Sequence, residues 1–424
     1  MANTPPNGND TGGPFEAVRV LDCSDEATAL AARWLADLGA RVTRIESLAG
    51  DGLRRRGPFL GDVKDRERSL AHLRYNGGKE SVALDLDTAR GWEFVDRLAA
   101  GADVVIAPLA KNQAAREFFD PARFRTVHPD GASLIDVTFA FGESPPAGPA
   151  SDLLGVAKGG LLYLNGFPED APSLPAGKLA YKQVALAASE ASGAAILRKQ
   201  RFGEPSHVLI SMEEAVTWTT MQTANVNFYR WHGERPTRYG LKGLGAVGRT
   251  IYPTRDGKYV SFTINPPRWA NYADWVANVT GDDTLLASEW AEPTYQAANI
   301  ETIAGYTEAL CATLDRDSVV EEGQRRGHLV TPVQNMADLA SDPHLRERGF
   351  LENVDHPQFG QSLTMPRPPF ASSTYRSRGR AAPVLGQHTI AVLKEDCGLG
   401  SGAIGELLAL GIAAAAPVES KVTS

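Results

Sequence analysis

Between residues 17 and 142 the chain alternates short β-rich runs with helical stretches, and this alternation limits the fold more than any other feature. "AVRVLDCS" (17–24) reads as a strand, and "EATALAARWLADLGA" (26–40) follows with helical spacing and a stop at Gly39. "RVTRIES" (41–47) and "SVALDLDT" (81–88) are further strands. The latter runs into "ARGWEFVDRLAAGA", whose Trp92, Phe94, Val95 and Leu98 recur near helical spacing. "DVVIAPLA" (103–110) and "GASLIDVTFAFG" (131–142) complete the series. Strand–helix–strand alternation at this pitch predicts an α/β fold with a mostly parallel sheet covered by helices. The first strand opens into "LDCSDEAT" rather than GxGxxG. The glycine turn that lets a dinucleotide pyrophosphate approach the backbone is missing, so that reading has no fingerprint.

Near residue 225 the composition shifts to an irregular, Gly-rich approach to a hairpin, with "TRDGKY" as its turn. "PRWANYADWVANV" (267–279) and "NIETIAGYTEALCATL" (299–314) are helical, which suggests a small α+β unit. Near the end, "HTIAVLKEDCGLGSGAIGELLALGI" reads as a helix, a Gly break and a second helix, followed by a frayed tail, "AAAAPVESKVTS". The boundaries drawn from these signals are a disordered leader over 1–14 and the N-terminal part of a large domain over 15–205. A linker over 206–240, a small domain over 241–330, a linker and return segment over 331–383 and the rest of the large domain over 384–424 follow.

Composition removes several classes of partner. The net charge of −8 is scattered without a basic block, so no nucleic acid is expected. Cys23, Cys311 and Cys397 lie far apart with no CxxC and no Cys/His cluster, which suits a reducing cytoplasm and offers no metal site. No run of 18 apolar residues exists, so no membrane span is expected.

An ordered set of segments then resembles the family III CoA-transferases, the group that includes formyl-CoA transferase, crotonobetainyl-carnitine CoA-transferase and α-methylacyl-CoA racemase. The set comprises "VRVLD…LADLGARVTRIE…GD…R" (18–54), "NGGKESVALDLDTARGWEFVDRLAAGADVV" (76–105) and "YPTRDGKYV" (252–260). "TPVQNMADLASDPHLRERGF" (331–350) and "APVLGQHTIAVLKEDCGL" (382–399) complete it, so the resemblance covers nearly the whole chain in order. It implies a Rossmann-like large domain built from both chain ends, a small middle domain, and two chains linked like rings. In that arrangement the extended segments around 200–240 and 330–380, with Phe228, Tyr229, Trp231 and Phe370, would wrap the partner.

The resemblance also implies a chemistry. An aspartate attacks the CoA thioester and forms a mixed anhydride, covalent catalysis by a weak base that must be stripped of water. Counting back without gaps from "GEPSHVLISMEEA" (203–215) puts Tyr181 at the nucleophile position, behind Leu179 and Ala180. Ser151, in "PASDLLGVAKGG" (149–160), stands where the racemases carry a histidine. A phenol with an ordinary pKa of about 10 is protonated near neutral pH. Lys178 and Lys182, adjacent in sequence, could lower it, and Glu190 or Asp152 could substitute through a gap.

The implied CoA pocket is altered as well. "DEATAL" (25–30) replaces the family's "A-G-P" loop, Ser47 stands at an often basic position, Pro108-Leu109 replaces Asn-Phe, and Asp87 stands where lysine is common. What remains for CoA is Arg116, which faces the nucleotide phosphates or simply opens a helix, together with Leu84 and Asp85 beneath the nucleotide. The Gly-rich "GLKGLGAVG" (240–248) is either the mobile loop over the thioester or a lead-in to the hairpin. The resemblance therefore implies a non-catalytic subunit of a heteromeric CoA-transferase, as in the succinyl-CoA:benzylsuccinate type. A sister chain would supply the Asp, CoA thioester would be the substrate of the complex, and no covalent cofactor would be bound. The alternative is a homodimer working as a CoA-ester isomerase, lyase or acyl-CoA binder.

Overall fold

The apolar runs of the N-terminal half assemble into one sheet. The computed structural model describes residues 12–141, 151–222, 229–230, 250–375 and 379–417, with 233, 235, 237, 238, 240 and 377. In it β1 (Arg19–Asp22), β2 (Arg41–Ser47), β3 (Glu80–Leu84), β4 (Val104–Ile106), β5 (Ser133–Thr138) and β6 (His207–Ser211) pair in parallel. Their spatial order is 3-2-1-4-5-6, so the direction of winding reverses between β1 and β4. Helices cover both faces, and β4 is accordingly apolar throughout rather than alternating: Val104, Val105 and Ile106 are all fully buried. A two-residue strand, Ala413–Ala414, adds antiparallel to the free edge of β3.

The chain divides into two units. The larger takes Met1–Leu161, Pro175–Thr220 and His344–Ser424, so both chain ends build it. The smaller takes Leu162–Leu174 and Met221–Pro343. It holds a three-stranded antiparallel sheet of β7 (Ile251–Pro253), β8 (Tyr259–Thr263) and β9 (Leu329–Pro332). Its core is aromatic, with Phe262 stacked on Trp275 at 5.8 Å and Trp269 on Trp290 at 6.2 Å.

Charges, not only apolar contacts, lock the larger unit. Asp22 of β1 accepts from Arg44 at 2.9 Å and from Lys79 at 2.7 Å, all three with fully buried side chains. Two residues along β2 on the same face, Glu46 accepts from Arg54 Nε at 2.7 Å and Nη2 at 2.8 Å, and from Ser81 of β3 at 2.7 Å. Arg54 and His72 both donate to the Pro383 carbonyl, at 3.2 and 3.1 Å, and Ser81 accepts from Gly386 N at 2.9 Å. Ala83 N donates to Thr389 Oγ1 at 3.0 Å. The C-terminal return is thus tied to the N-terminal strands by polar contacts across some 300 residues.

Most elements fall where the apolar spacing put them; two details differ. The third strand stops at Leu84 rather than Thr88, because Asp85 N pairs with Ile412 O and Thr88 turns to cap a helix, accepting from Gly91 N. The tail begins later than expected, since Ala413 and Ala414 find an open sheet edge that no alanine run announces. The leader up to residue 11, the glycine run 241–248, and Phe228 and Trp231 of the proposed connector lie outside the described residues. Among the described residues no helix is long and apolar enough to cross a membrane.

The buried charges predict acid sensitivity. Burial, aided by the Arg54 charge, lowers His72 from 6.5 to about 4. Burial pushes Glu46 up, but the Arg54 hydrogen bonds and charge outweigh it and hold the carboxyl at about 2 instead of 4.5. The folded state therefore binds fewer protons than the unfolded chain at both sites. Their stabilisation is complete above pH 6.5, is lost through His72 between 6.5 and 4, and is lost further through Glu46 between 4.5 and 2. Urea midpoints measured from pH 8 to pH 4 should fall once the pH drops below 6.5, and a flat profile would refute this. Glu46→Ala, which strands Arg54 without its buried partner, should cost roughly 3–5 kcal/mol.

Candidate functional site

In an open α/β sheet the ligand crevice is expected beyond the carboxyl ends of the strands where the winding reverses. The larger unit has a cavity of about 250 Å³ there. Cys23, just after β1, and Pro108 and Ala110, just after β4, form one side of it. Leu86, Trp92 and Phe119 form an apolar and aromatic side, and Asn112 supplies an amide whose oxygen is already committed to Ala115 N at 2.9 Å. This volume lies below the about 300–1,000 Å³ of ordinary ligand pockets, so it accommodates a ring system rather than a whole cofactor.

A second, much smaller cleft lies on the other side of the loop that follows β1. Glu26, Ala27, Leu30, Tyr75, Lys178, Tyr181 and Lys182 line it, and at about 10 Å³ it has room for roughly one water. Tyr181 stands at the start of the 24-residue helix Leu179–Phe202. Two left-handed residues, Gly177 (φ 90) and Lys178 (φ 53), turn the chain into that helix. Lysine has no intrinsic preference for this region, so its neighbours hold it there. Lys178 Nζ contacts Glu26 Oε1 at 2.8 Å and lies 5.1 Å from the centre of the Tyr181 ring.

The helix start is capped from outside. Tyr181 N donates to Asp152 Oδ1 at 3.1 Å. Asp152 opens the short helix Asp152–Lys158, whose N-cap Ser151 accepts from Leu154 N. Gly155 makes this approach possible: a Cβ there would stand 2.7 Å from the Ala180 Cβ. Ser151, which the resemblance sets at the racemases' histidine position, is thus a capping hydroxyl.

The electrostatics disfavour a phenolate. Burial, then the Asp25 and Asp152 carboxylates, raise the Tyr181 phenol above its ordinary value of 10. The lowering that Lys178 and Lys182 suggested from sequence does not occur, because Lys178 is spent on Glu26 and the carboxylates around the ring outweigh it. Glu190 is exposed and nine residues further along the helix, about 13 Å away by helix rise, so it does not substitute. Asp25 accepts from Ala27 N at 3.0 Å and Ala110 N at 2.8 Å, tying the loop after β1 to the loop after β4 between cleft and cavity.

The residues named for CoA are only partly brought together. Leu84 is fully buried in the core, and the neighbouring wall residue of the cavity is Leu86, two positions on. Asp85 is half-buried and accepts from Asp87 N. Arg116 is exposed on the helix Gln113–Phe118, next to wall residue Ala115, and donates to the Lys111 carbonyl. Trp92, read from sequence at helical spacing, also faces this cavity, as does Phe119. Glu26 went unremarked; its only signal was its place in the loop where the winding reverses. Glu46, Asp51 and His72 bring ligand atoms within 4.8 Å of one another, but Arg44 and Arg54 already supply the positive charge a metal would bring.

Comparison with known proteins follows the same line. The model of CoA-transferase family III matches residues 15–389. The chain is 30% identical to the succinyl-CoA:(R)-benzylsuccinate CoA-transferase subunit BbsE of Thauera aromatica, over 94% of this chain and 98% of that one. It is 27% identical to the succinyl-CoA:mesaconate CoA-transferase of Haloarcula hispanica, over 92% and 98% respectively. It is also 26% identical to the succinyl-CoA–L-malate CoA-transferase beta subunit of Chloroflexus aurantiacus, over 95% and 98%. Among solved structures, a CAIB/BAIF family protein from Brucella suis superposes with a TM-score of 0.80 at 22% identity, covering 91% of this chain and all of that one.

Tyr181 provides a direct check on the electrostatics. The difference in ultraviolet absorption between wild type and Tyr181→Phe should show no phenolate appearing below pH 10. Ionisation near neutral pH would restore the phenol as a nucleophile.

Proposed function

The chain belongs to CoA-transferase family III, and we propose that it serves as the subunit without a nucleophile in a heteromeric CoA-transferase. The observation that carries this reading is the protonated, half-buried Tyr181 at the head of the long helix, where the resemblance calls for a carboxylate. In the complex a sister chain's aspartate attacks the acyl-CoA carbonyl and expels CoA thiolate, leaving a mixed anhydride. CoA thiolate then attacks the aspartyl carbonyl and releases the donor acyl group as the free acid. The acceptor carboxylate displaces thiolate from that aspartyl thioester to form a second anhydride, and thiolate attack on its acceptor carbonyl frees the aspartate and the acceptor's CoA ester. The names of the similar proteins support succinyl-CoA as donor and a dicarboxylic acid as acceptor. Two of those names contain the word subunit, which supports a heteromer.

In this reading the chain contributes scaffold and a ring-sized cavity rather than bond-making groups. Leu186, Leu197 and Phe202 of the long helix and Trp218 of the next are exposed, an apolar supply that suits burial against a partner in a linked-ring assembly. The cavity between β1 and β4 holds the ring end of a CoA ester, with Arg116 beside it.

Purified alone, the chain should move no CoA from succinyl-CoA to carboxylic acids. Tyr181→Asp alone should leave it inactive, because the cleft has no room for a thioester. Co-expressed with an Asp-bearing sister it should give an active heteromer by native mass spectrometry, and Tyr181→Phe should leave that activity unchanged. Robust turnover by the lone chain, or a homodimer that ignores the sister, would overturn the proposal in favour of the homodimeric alternative.

A further inference from the structure

The small cleft beside Tyr181 is built like an anion site yet closed by the chain itself. Arg56 and Lys178 converge on a single oxygen, Oε1 of Glu26, with the lysine at 2.8 Å. The Tyr181 ring lies under the Lys178 ammonium, and Lys182 lines the same cleft. Lys178 takes up the left-handed conformation after Gly177 that points it there. The two nearby carboxylates are engaged elsewhere: Asp25 with the Ala27 and Ala110 amides, Asp152 with the Tyr181 amide. Glu26 is therefore the carboxylate that the described cations of the cleft are arranged around, and its side chain remains about one-quarter exposed, within reach of solvent.

We propose that Arg56 and Lys178 form a carboxylate-binding site which Glu26 occupies from within, a built-in substitute that keeps a small carboxylic acid out. An ordinary surface ion pair joins two flexible side chains and needs no fixed geometry. Here the cations come from separate elements, the segment after the 3-10 turn Leu53–Arg55 and the turn into the long helix, and they meet on one oxygen above an aromatic floor. An external carboxylate can replace the glutamate with the same charge balance and the same two donors. The inference deepens the reading of a silent subunit by giving a second block beside Tyr181. It rests on that reading only for the choice of a dicarboxylic acid as ligand.

The probe is succinate, followed by calorimetry and by thermal unfolding against sodium chloride and sodium sulfate at matched ionic strength. Glu26→Ala should bind succinate at least about tenfold more tightly than wild type, by the weight of one charged contact. Its melting temperature should rise in succinate and not in the other salts. Adding Lys178→Ala to Glu26→Ala should abolish the gain. Glu26→Ser, which also removes the carboxylate and vacates its place, carries the same expectation, so a poorly folding alanine variant does not shield the idea. A folded Glu26 variant with no succinate-specific gain would overturn it. So would a wild-type chain that binds succinate equally well, or a gain that survives Lys178→Ala. Turnover by the lone wild-type chain would instead remove the silent-subunit reading and leave these binding results untouched.

Discussion

The paired buried charges of Asp22, Arg44 and Lys79, continued by Glu46, Arg54 and Ser81, are what the larger unit depends on. Each ion alone would be costly to remove from water, so the group survives only as a mutually neutralised set, in which Asp51, paired with Arg44, supplies the third carboxylate. Asp22, Arg44, Glu46 and Ser81 sit on β1, β2 and β3, Lys79 immediately before β3, and Arg54 in the 3-10 turn Leu53–Arg55. By reaching Pro383 and Gly386 it also fixes the return of the far chain end. Apolar packing would hold the same layers together with less regard to register, whereas these contacts admit one arrangement.

The consequences reach the site. Ser24 N donates to Asp22 Oδ1 at 3.0 Å and the Ser24 carbonyl accepts from Arg44 at 3.2 Å, which fixes the first residues of the loop after β1. From that anchored start Asp25 reaches across to the loop after β4 and Glu26 reaches into the small cleft. One short loop therefore separates the ring-sized cavity from the Tyr181 cleft, and both hang from the same buried charges.

Much of this was legible in the residues, for identifiable reasons. The parallel sheet announced itself through the strand–helix–strand alternation over 17–142, which the six parallel strands bear out. The helices around Phe94 and Trp275 followed from spacing. Polar tertiary contacts left no such trace. Nothing local tells that Glu46 meets Arg54 or that Ser81 meets Gly386, since those pairs depend on how distant segments come together. The Tyr181 environment was illegible for the same reason: two lysines close in sequence could have lowered the phenol, while burial and then the carboxylates of residues 25 and 152 raise it. Ala413–Ala414 was lost because a vacant sheet edge can recruit residues with little strand preference of their own.

On the proposed reading the absence of a nucleophile at residue 181 is physically cheap, and the capping contact explains why. Asp152 accepts from the main-chain amide of residue 181, not from its side chain, so the helix start is satisfied whatever residue stands there. Gly155 allows the two helices to meet at Ala180, again without reference to position 181. A tyrosine at this place then gains burial for its ring and an ammonium above it, while the turn at Gly177 and Lys178 is kept. The scaffold and the side chain of this position are therefore separable: the cap and the helix contact are made by the main chain at 181 and by Gly155 and Ala180, so on the proposed reading they hold equally for a group that forms an anhydride and for one that fills space.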